Sequence, residues 1–481
     1  MNLSVFEKER PNLKSLIAEW NFQLDSYVGG RKYLANTNYL HRHPLEYDEE
    51  YANRLSRTTY SNKNKKYIDK TVNSVYSKKI TRTLLESSLP FFRFQDFNGN
   101  ELEINSFFNF ISKLRLALGE VYIYYNPPQT EGKTNAETKY SKIDVSPILP
   151  QVIKYVETYQ GEIIELTMTV DQTILLDEKE IAIDQIYYNK NVITYHFKEK
   201  KFNGKNELST PNNLGQVPFI QYTLDDNFDG VSDSYTIDVS RLSNEAHNIR
   251  SWINQILFDN MYPTMNMPMN ESMIGILETQ YGTTKKNGID IVDFRKRRVQ
   301  PHDSGNSISY LVNDLNNIDK LLAYEDKLET EITEAVSMRL KQIVQQSGVS
   351  KQYDVQDEIQ VLTFFSQEKF KTAEEKFWNT VLSLIGKEKL DYTINYPDQT
   401  AFDLIDRTQR LDNLVLIRDT IESPKAKKAI DKIIVKDYLS NDISEDEINI
   451  INKEIDDGDV VSNTNDSIYN ESLNINDEEV I

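Results

Sequence analysis

The sequence predicts an α+β chain that is mainly helical. Three observations predict it. Apolar residues recur at helical spacing through three long segments, marked by Leu242–Leu257, Leu315–Ile343 and Ile359–Trp378. Between Val152 and His196 the period changes to two, the signature of strands. Beyond Ala401 the pattern returns to short helical pieces.

The chain has 481 residues, and at roughly 100–200 residues per domain it should form about two to four folding units. It carries 55 Lys and Arg against 75 Asp and Glu, a formal charge of −20. A surface that grips DNA phosphates over its whole extent would be basic, so this balance argues against one. It leaves room for a protein that lets DNA slide past. The 28 Tyr and 20 Phe supply bulk for a sizeable core. Cysteine is absent, which excludes disulfides, Cys-ligated zinc, iron–sulfur clusters and thiol nucleophiles. Cytoplasm is therefore the expected compartment of assembly. No run of about 18 apolar residues is present, so no membrane helix is expected. The opening MNLSVFEKERPN is charged and does not read as a signal peptide.

In chain order, Leu13, Leu16, Ile17 and Trp20 mark a first helix that Gly29-Gly30 should end. Helices follow near Asp48–Tyr60, Lys66–Thr81 and Ile104–Leu118, the last feeding a strand through Gly119–Tyr125. Strands are expected around Ile163–Met168, Ile181–Ile186 and Val192–His196, and Val217–Tyr222 should close the same β-rich unit. A long helix should start near Asp238 and stop at Tyr262-Pro263. Thr264–Ser309 reads as irregular, with a short strand at Ile289–Val292. A second long helix is expected over Leu311–Gln346, a polar loop over Gln345–Asp357, and a third long helix over Glu358–Ile385. A strand at Leu390–Tyr396 precedes helical pieces near Ala401–Ile421, Pro424–Val435 and Ser444–Ile455. Asp456–Ile481 contains acidic residues and no Lys or Arg, which predicts a disordered tail.

Few patterns point to chemistry. Asp225-Asp226-Asn227-Phe228-Asp229-Gly230 matches the first half of a calcium loop, but the twelfth position is Thr236 instead of Glu, so a polar turn is expected. His41 and His43 with Glu46 and Asp48 could be read as metal ligands, yet Pro44 makes the segment a turn. Met261, Met265, Met267, Met269 and Met273 suit either a plastic interface or an internal core. No phosphate loop, nucleophile elbow or His-Glu-x-x-His motif occurs, and nothing nominates a catalytic centre, a resident metal or a cofactor.

The order of a long helix, a compact insert, a second long helix, a polar loop and a third helix resembles the portal proteins of tailed bacteriophages, the subunits of head-to-tail connector rings. The segments Arg31–Leu34, Tyr39–Glu46 and Tyr51–Leu55, with Thr71-Val72, Tyr76 and Ile80, resemble the opening of one portal subfamily. Tyr396-Pro397-Asp398, Leu411, Leu414, Ser444, Glu447 and Ile455 resemble its closing segment. The resemblance implies a wing at 1–236 (helices plus the β-rich unit), a first stem helix at 237–262, a small α/β clip at 263–310 and a second stem helix at 311–345. It further implies a tunnel loop at 346–357, a tunnel or wing helix and strand at 358–397, and C-terminal wing or crown helices at 398–455, followed by the acidic tail at 456–481.

That likeness implies a homo-oligomeric, twelve-fold ring at one capsid vertex of a virion, without enzymatic activity of its own. Double-stranded DNA would pass through it during packaging and ejection. A terminase motor, major capsid or scaffold proteins and a head–tail adaptor would be its partners, with no membrane involved. Gln346, Ser347, Ser350, Lys351 and Gln352 are the candidates to line the tunnel, the alternative being a solvent turn at an outer rim. Arg295, Lys296, Arg297 and Arg298, with Lys285 and Lys286, are the candidates for partner contact in the clip. Salt bridges between subunits or a solvated strand edge would use the same residues. Two other functional classes fit the composition: a soluble nuclease or hydrolase using an Asp/Glu-bound metal, and a different head–tail connector or minor capsid protein.

Overall fold

The computed structural model describes residues 5–44, 46–83, 85, 87–126, 142–176, 179–198, 206–224, 231–261, 264–268, 284–286, 289–291, 299–302, 309–311, 316–335, 359–385, 387, 390–402, 407–435 and 445–457. Helices and sheets are both present, as the periodicities predict. The chain divides into two units, Met1–Phe402 and Asp403–Ile481.

The first unit opens with α1 (Leu13–Val28) and α2 (Gly30–Ala35). Gly29 adopts φ 63°, a conformation that favours glycine, and its N–H caps α1 on Asp25 O. Gly30 then begins α2, so the glycine pair divides two helices where the sequence reading had it end the unit. Helix α3 (Asp48–Arg57) places Asp48, Glu49 and Glu50 in its first turn and Arg54 and Arg57 in its last, as the helix dipole favours. Helix α4 (Lys63–Tyr76) starts three residues before the expected Lys66, because the Asn62 side chain accepts the Lys65 N–H at 2.8 Å. It stops at Tyr76, and Thr81 belongs to a strand, β1 (Thr81–Thr83).

Two five-stranded sheets follow. The first contains β2 (Phe92–Gln95), β3 (Glu101–Leu102), β4 (Glu120–Asn126), β5 (Ile143–Ile148) and β11 (Phe219–Thr223), in the order β11-β4-β5-β2-β3. The second contains β6 (Ile153–Tyr159), β7 (Glu162–Leu176), β8 (Lys179–Asn189), β9 (Val192–Phe197) and β10 (Glu207–Pro211), in the order β10-β9-β8-β7-β6. Only β2 and β5 pair parallel within these sheets. The β11 segment does not close the second sheet, as its sequence position predicted. It pairs antiparallel with β4, from Phe219 opposite Tyr124 to Thr223 opposite Glu120. The reason is its alternation: Ile220 and Tyr222 face the core beneath the first sheet, while Phe219 reaches the cluster of Ile153, Leu166, Ile183 and Phe197 on the second.

Helix α5 (Ile104–Leu118) packs on the first sheet. Phe94 meets Phe107 at 5.1 Å, Phe108 at 6.3 Å and Phe377 at 5.8 Å between ring centroids. Phe377 and Trp378 are fully buried and come from residues 359–385, which are helical throughout. Each such side chain contributes about 1.5–3 kcal/mol by leaving water. This helix widens to a π turn at Phe365–Lys371. Phe365 and Phe370 are five residues apart, about 140° out of phase in an α-helix. The π turn puts them on one face, stacked at 5.8 Å. Strand β17 (Thr393–Asn395) then returns to pair with β1.

The long helix Ile237–Met261 and the helix Asn316–Ala335 pack side by side. Between them the backbone forms β12 (Thr264–Pro268), β13 (Thr284–Lys286), β14 (Ile289–Ile291), β15 (Val299–His302) and β16 (Ser309–Leu311). The insert is thus more regular than its composition predicted. Leu311, expected to open the second long helix, ends a strand that pairs with Thr264. The remaining expected span of that helix, 336–346, and the polar loop 345–357 lie outside the described residues.

The second unit is built from helices Arg407–Thr420, Pro424–Ile434 and Glu445–Asp457. Arg418 reaches Asp431 at 3.4 Å, and Lys432 pairs with Asp456 at 2.6 Å. The last helix therefore holds Asp456 and Asp457, two residues that composition alone assigned to the acidic tail.

Gly119 joins α5 to β4 at φ 84°, and a Cβ there would lie 2.1 Å from the Ser232 carbonyl oxygen. Gly119→Ala meets both backbone strain and backbone collision, and it is expected to destabilise the first unit by about 3 kcal/mol or more. A urea titration against wild type measures this, and a change under about 1 kcal/mol would show that the turn relaxes.

Candidate functional site

Most residues that the sequence nominated lie outside the described residues: Arg295–Arg298, Gln346–Gln352 and the Asp225–Gly230 turn. Lys285 and Lys286 are described by backbone only. They lie on β13, where Lys285 faces Asp290 and Lys286 faces Ile289 of β14. The structure brings none of these candidates together.

What it does assemble is a polar seam along the Ile237–Met261 helix. Asn244, Asn248, Ser251, Gln255 and Phe258 fall at i, i+4, i+7, i+11 and i+14, one stripe of a helix. The N-terminal helices contact this stripe at every turn. Tyr33 Oη donates to Asn244 Oδ1 at 2.6 Å. Asn248 accepts the His41 N–H at 2.7 Å and donates to Tyr39 O at 2.9 Å. Arg57 donates to Gln255 Oε1 at 2.5 Å and lies 3.8 Å from the Phe258 ring centre.

Arg54 occupies the middle of the seam and is 1% exposed. Its Nε and Nη2 fork onto the Glu46 carboxylate, both at 2.8 Å. Nη2 also donates to His41 O at 2.7 Å, and Nη1 donates to Ser251 Oγ at 2.8 Å. The guanidinium lies 4.5 Å from the Trp252 ring and 5.3 Å from the Tyr51 ring. Burial opposes ionisation of Glu46, but the Arg54 fork and charge outweigh it and hold the carboxyl below its usual range. His41 acts here through its backbone, and the His43 N–H bonds Glu46 Oε2 at 3.3 Å, so this segment builds a turn around Glu46.

On the same helix, His247 Nδ1 donates to Thr59 O at 3.1 Å, and its ring meets Tyr33 and Tyr60 edge-on. Burial, aided by the Arg54 charge, lowers its pKa against the opposing pull of the Thr59 carbonyl. Arg250 pairs with Glu325 and lies 3.9 Å from Glu329 of the neighbouring helix, while Tyr324 Oη donates to Glu245 at 2.5 Å. Lys63 of α4 joins Glu329 at 3.3 Å. The helix is therefore held by charges from two directions.

Among the described residues, no group of three or more His, Cys, Asp or Glu is placed to hold a metal. The seam's groups are spent on one another, which makes it a mechanical joint. Sequence reading named Tyr33, His41, Glu46, Tyr51 and Arg54 as parts of a family-like segment but missed their partners. The available signal was the polar i, i+4, i+7 stripe, on a helix read only for its apolar positions.

No family model matches the sequence, and no curated protein matches it. Among solved structures, the chain is similar to a component of the neck of an empty gene transfer agent particle computed with C6 symmetry, with a TM-score of 0.39 and 9% identity, covering 76% of this chain and 88% of that one. It is also similar to a component of the virion of a native gene transfer agent particle, with a TM-score of 0.34 and 8% identity, covering 81% and 88%. Likeness at this level does not define the fold.

Arg54→Lys keeps the charge but loses the fork, and it is expected to cost about 3–5 kcal/mol, the range for a broken buried ion pair. A loss below about 1 kcal/mol in denaturant titration would mean that the seam tolerates a point charge. The lowered pKa of His247 makes it a source of acid sensitivity. The unfolded chain takes up its proton near pH 6.5 while the folded chain resists, so stability is expected to fall as pH drops below that value. His247→Gln should flatten this slope in thermal melts between about pH 6.5 and 5. An unchanged slope would place the sensitivity elsewhere.

Proposed function

We propose that the chain is a portal-type subunit, one protomer of a ring at a capsid vertex through which double-stranded DNA is packaged and ejected. The observation that carries this reading is the pair of long helices bracketing a small stranded insert, one of them locked to the N-terminal helices by the Arg54 seam. A helix under axial load needs such a joint, because surface contacts alone would let it slip.

In this reading Ile237–Met261 and Asn316–Ala335 are stem helices, residues 263–310 are the clip, and 346–357 form the tunnel loop. The protein works mechanically, while a separate terminase motor hydrolyses ATP. Capsid or scaffold proteins and a head–tail adaptor complete its surroundings, and its place is the virion. A twelve-fold ring would carry a formal charge of twelve times −20. A mostly acidic tunnel repels phosphates, so DNA passes without the counterion release that would bind it tightly.

Purified protein imaged by negative stain is expected to show rings with a central hole. Small monodisperse particles at all concentrations would overturn the reading and return the metal-dependent hydrolase class to the front.

The position of the tunnel loop has its own check. The chain contains no cysteine, so Ser350→Cys creates a single reactive thiol. Modifying it with a bulky thiol reagent in assembled rings should block DNA packaging. Normal packaging after full labelling would move the loop away from the channel.

Changing Arg295, Lys296, Arg297 and Arg298 together to Ala should impair motor docking or packaging while rings still assemble. Normal packaging by that variant would remove the clip assignment.

A further inference from the structure

Charge is distributed very unevenly along this chain. Residues 54–83 hold nine Lys and Arg against one Asp, within a protein of net charge −20. Helix α4 sits at the centre of this stretch. Its apolar residues Tyr67, Ile68, Val72 and Val75 are buried, and the opposite face presents Lys66, Lys70, Asn73 and Ser77 to solvent. Lys78 and Lys79 follow directly and are exposed. Asp69, the one acidic residue of the stretch, is already engaged: it accepts Tyr27 Oη at 3.1 Å and lies 3.4 Å from Lys65 and 3.5 Å from Lys113.

We propose that this exposed face of α4 binds the phosphate backbone of double-stranded DNA. Lys66 and Lys70 stand one helical turn apart, about 6 Å along the axis. That distance is close to two phosphate steps of about 3.4 Å each along one strand. Between and beyond them, Asn73 and Ser77 are the small neutral donors that accompany lysine at phosphates. Asn73 Oδ1 accepts from Asn109 of α5 at 3.1 Å, so the polar row continues onto a second helix. The row reads shape and charge, with no element that enters a groove, so binding should be indifferent to base sequence. An acidic protein surface is the other polyanion this face could meet. The regular lysine spacing and the interleaved amide and hydroxyl favour phosphates.

The proposal does not rest on the ring reading, because it is tested on the isolated chain, whereas rings are read by imaging. The experiment is fluorescence anisotropy of a labelled 30-base-pair duplex with the full-length protein across a salt series. Four phosphate contacts at a slope of about 0.9 each predict an affinity loss of about 150-fold between 50 and 200 mM salt. The variant Lys66→Gln, Lys70→Gln, Lys78→Gln, Lys79→Gln should bind at least about tenfold more weakly at 50 mM salt and lose most of that slope. All four side chains are exposed, and circular dichroism confirms the fold. A control with Lys142, Lys190, Lys320 and Lys327 changed to Gln has the same net charge and should bind as wild type.

Equal weakening of both variants would reduce the effect to net charge and overturn the proposal. Absence of salt-dependent binding would do the same. Competition by polyglutamate as strong as that by unlabelled duplex, or a change of sedimenting mass in the α4 variant alone, would assign the face to an acidic protein surface.

Discussion

A buried guanidinium cannot be left alone, and Arg54 is the residue to which this constraint applies most sharply. Taking a cation out of water costs several kcal/mol unless charge and hydrogen bonds replace the lost hydration. Five groups do so together: the Glu46 carboxylate, the His41 carbonyl, Ser251 Oγ and the Tyr51 and Trp252 rings. They come from a turn, a short helix and a long helix nearly 200 positions further along. None can move without stranding the charge, so the joint specifies the axial and rotational position of the long helix.

The same logic recurs where other distant segments meet. Arg10 and Glu120 form a fork, with both side chains buried and Trp20 5.4 Å from the guanidinium. Arg82 and Glu374 form another, to which Trp378 Nε1 and Tyr396 Oη also donate. An acidic chain has carboxylates to spare and places some of its scarcer arginines inside, each where sequence-remote elements must register. Apolar burial supplies the gross stability, whereas these forks discriminate against neighbouring registers, since a one-residue slip would leave an unpaired charge.

Elements defined by local periodicity were readable in the sequence. Ile104–Leu118 and the long helix that ends at Met261 carry uninterrupted apolar stripes, and the structure has them within a residue of their expected bounds. Boundaries set by side-chain caps were harder, as at Asn62, where a single amide adds a helical turn. Partnerships between strands were not readable. Phe219–Thr223 alternates like any strand, and only tertiary packing decides that it joins β4 instead of β10. The π turn was invisible for a related reason: Phe365 and Phe370 look out of phase unless the helix is allowed to widen. The seam partners Asn244, Asn248 and Ser251 were hidden because polar residues on a helix read by default as solvent-facing, and their burial depends on what arrives from the other end of the chain.

The pairing of β1 with β17 sets a timetable for synthesis. Thr83 lies opposite Thr393, so this ladder closes a loop of about 310 residues. At about 5–20 residues per second, β1 leaves the ribosome some 15–60 s before its partner exists. Throughout that interval the Arg82 guanidinium lacks Glu374, and Phe92 and Phe94 lack the rings of Phe377 and Trp378. The nascent chain must carry an open strand edge and an uncovered aromatic face for most of its translation, which makes the growing polypeptide a natural client for chaperones and ties its yield to the speed of elongation.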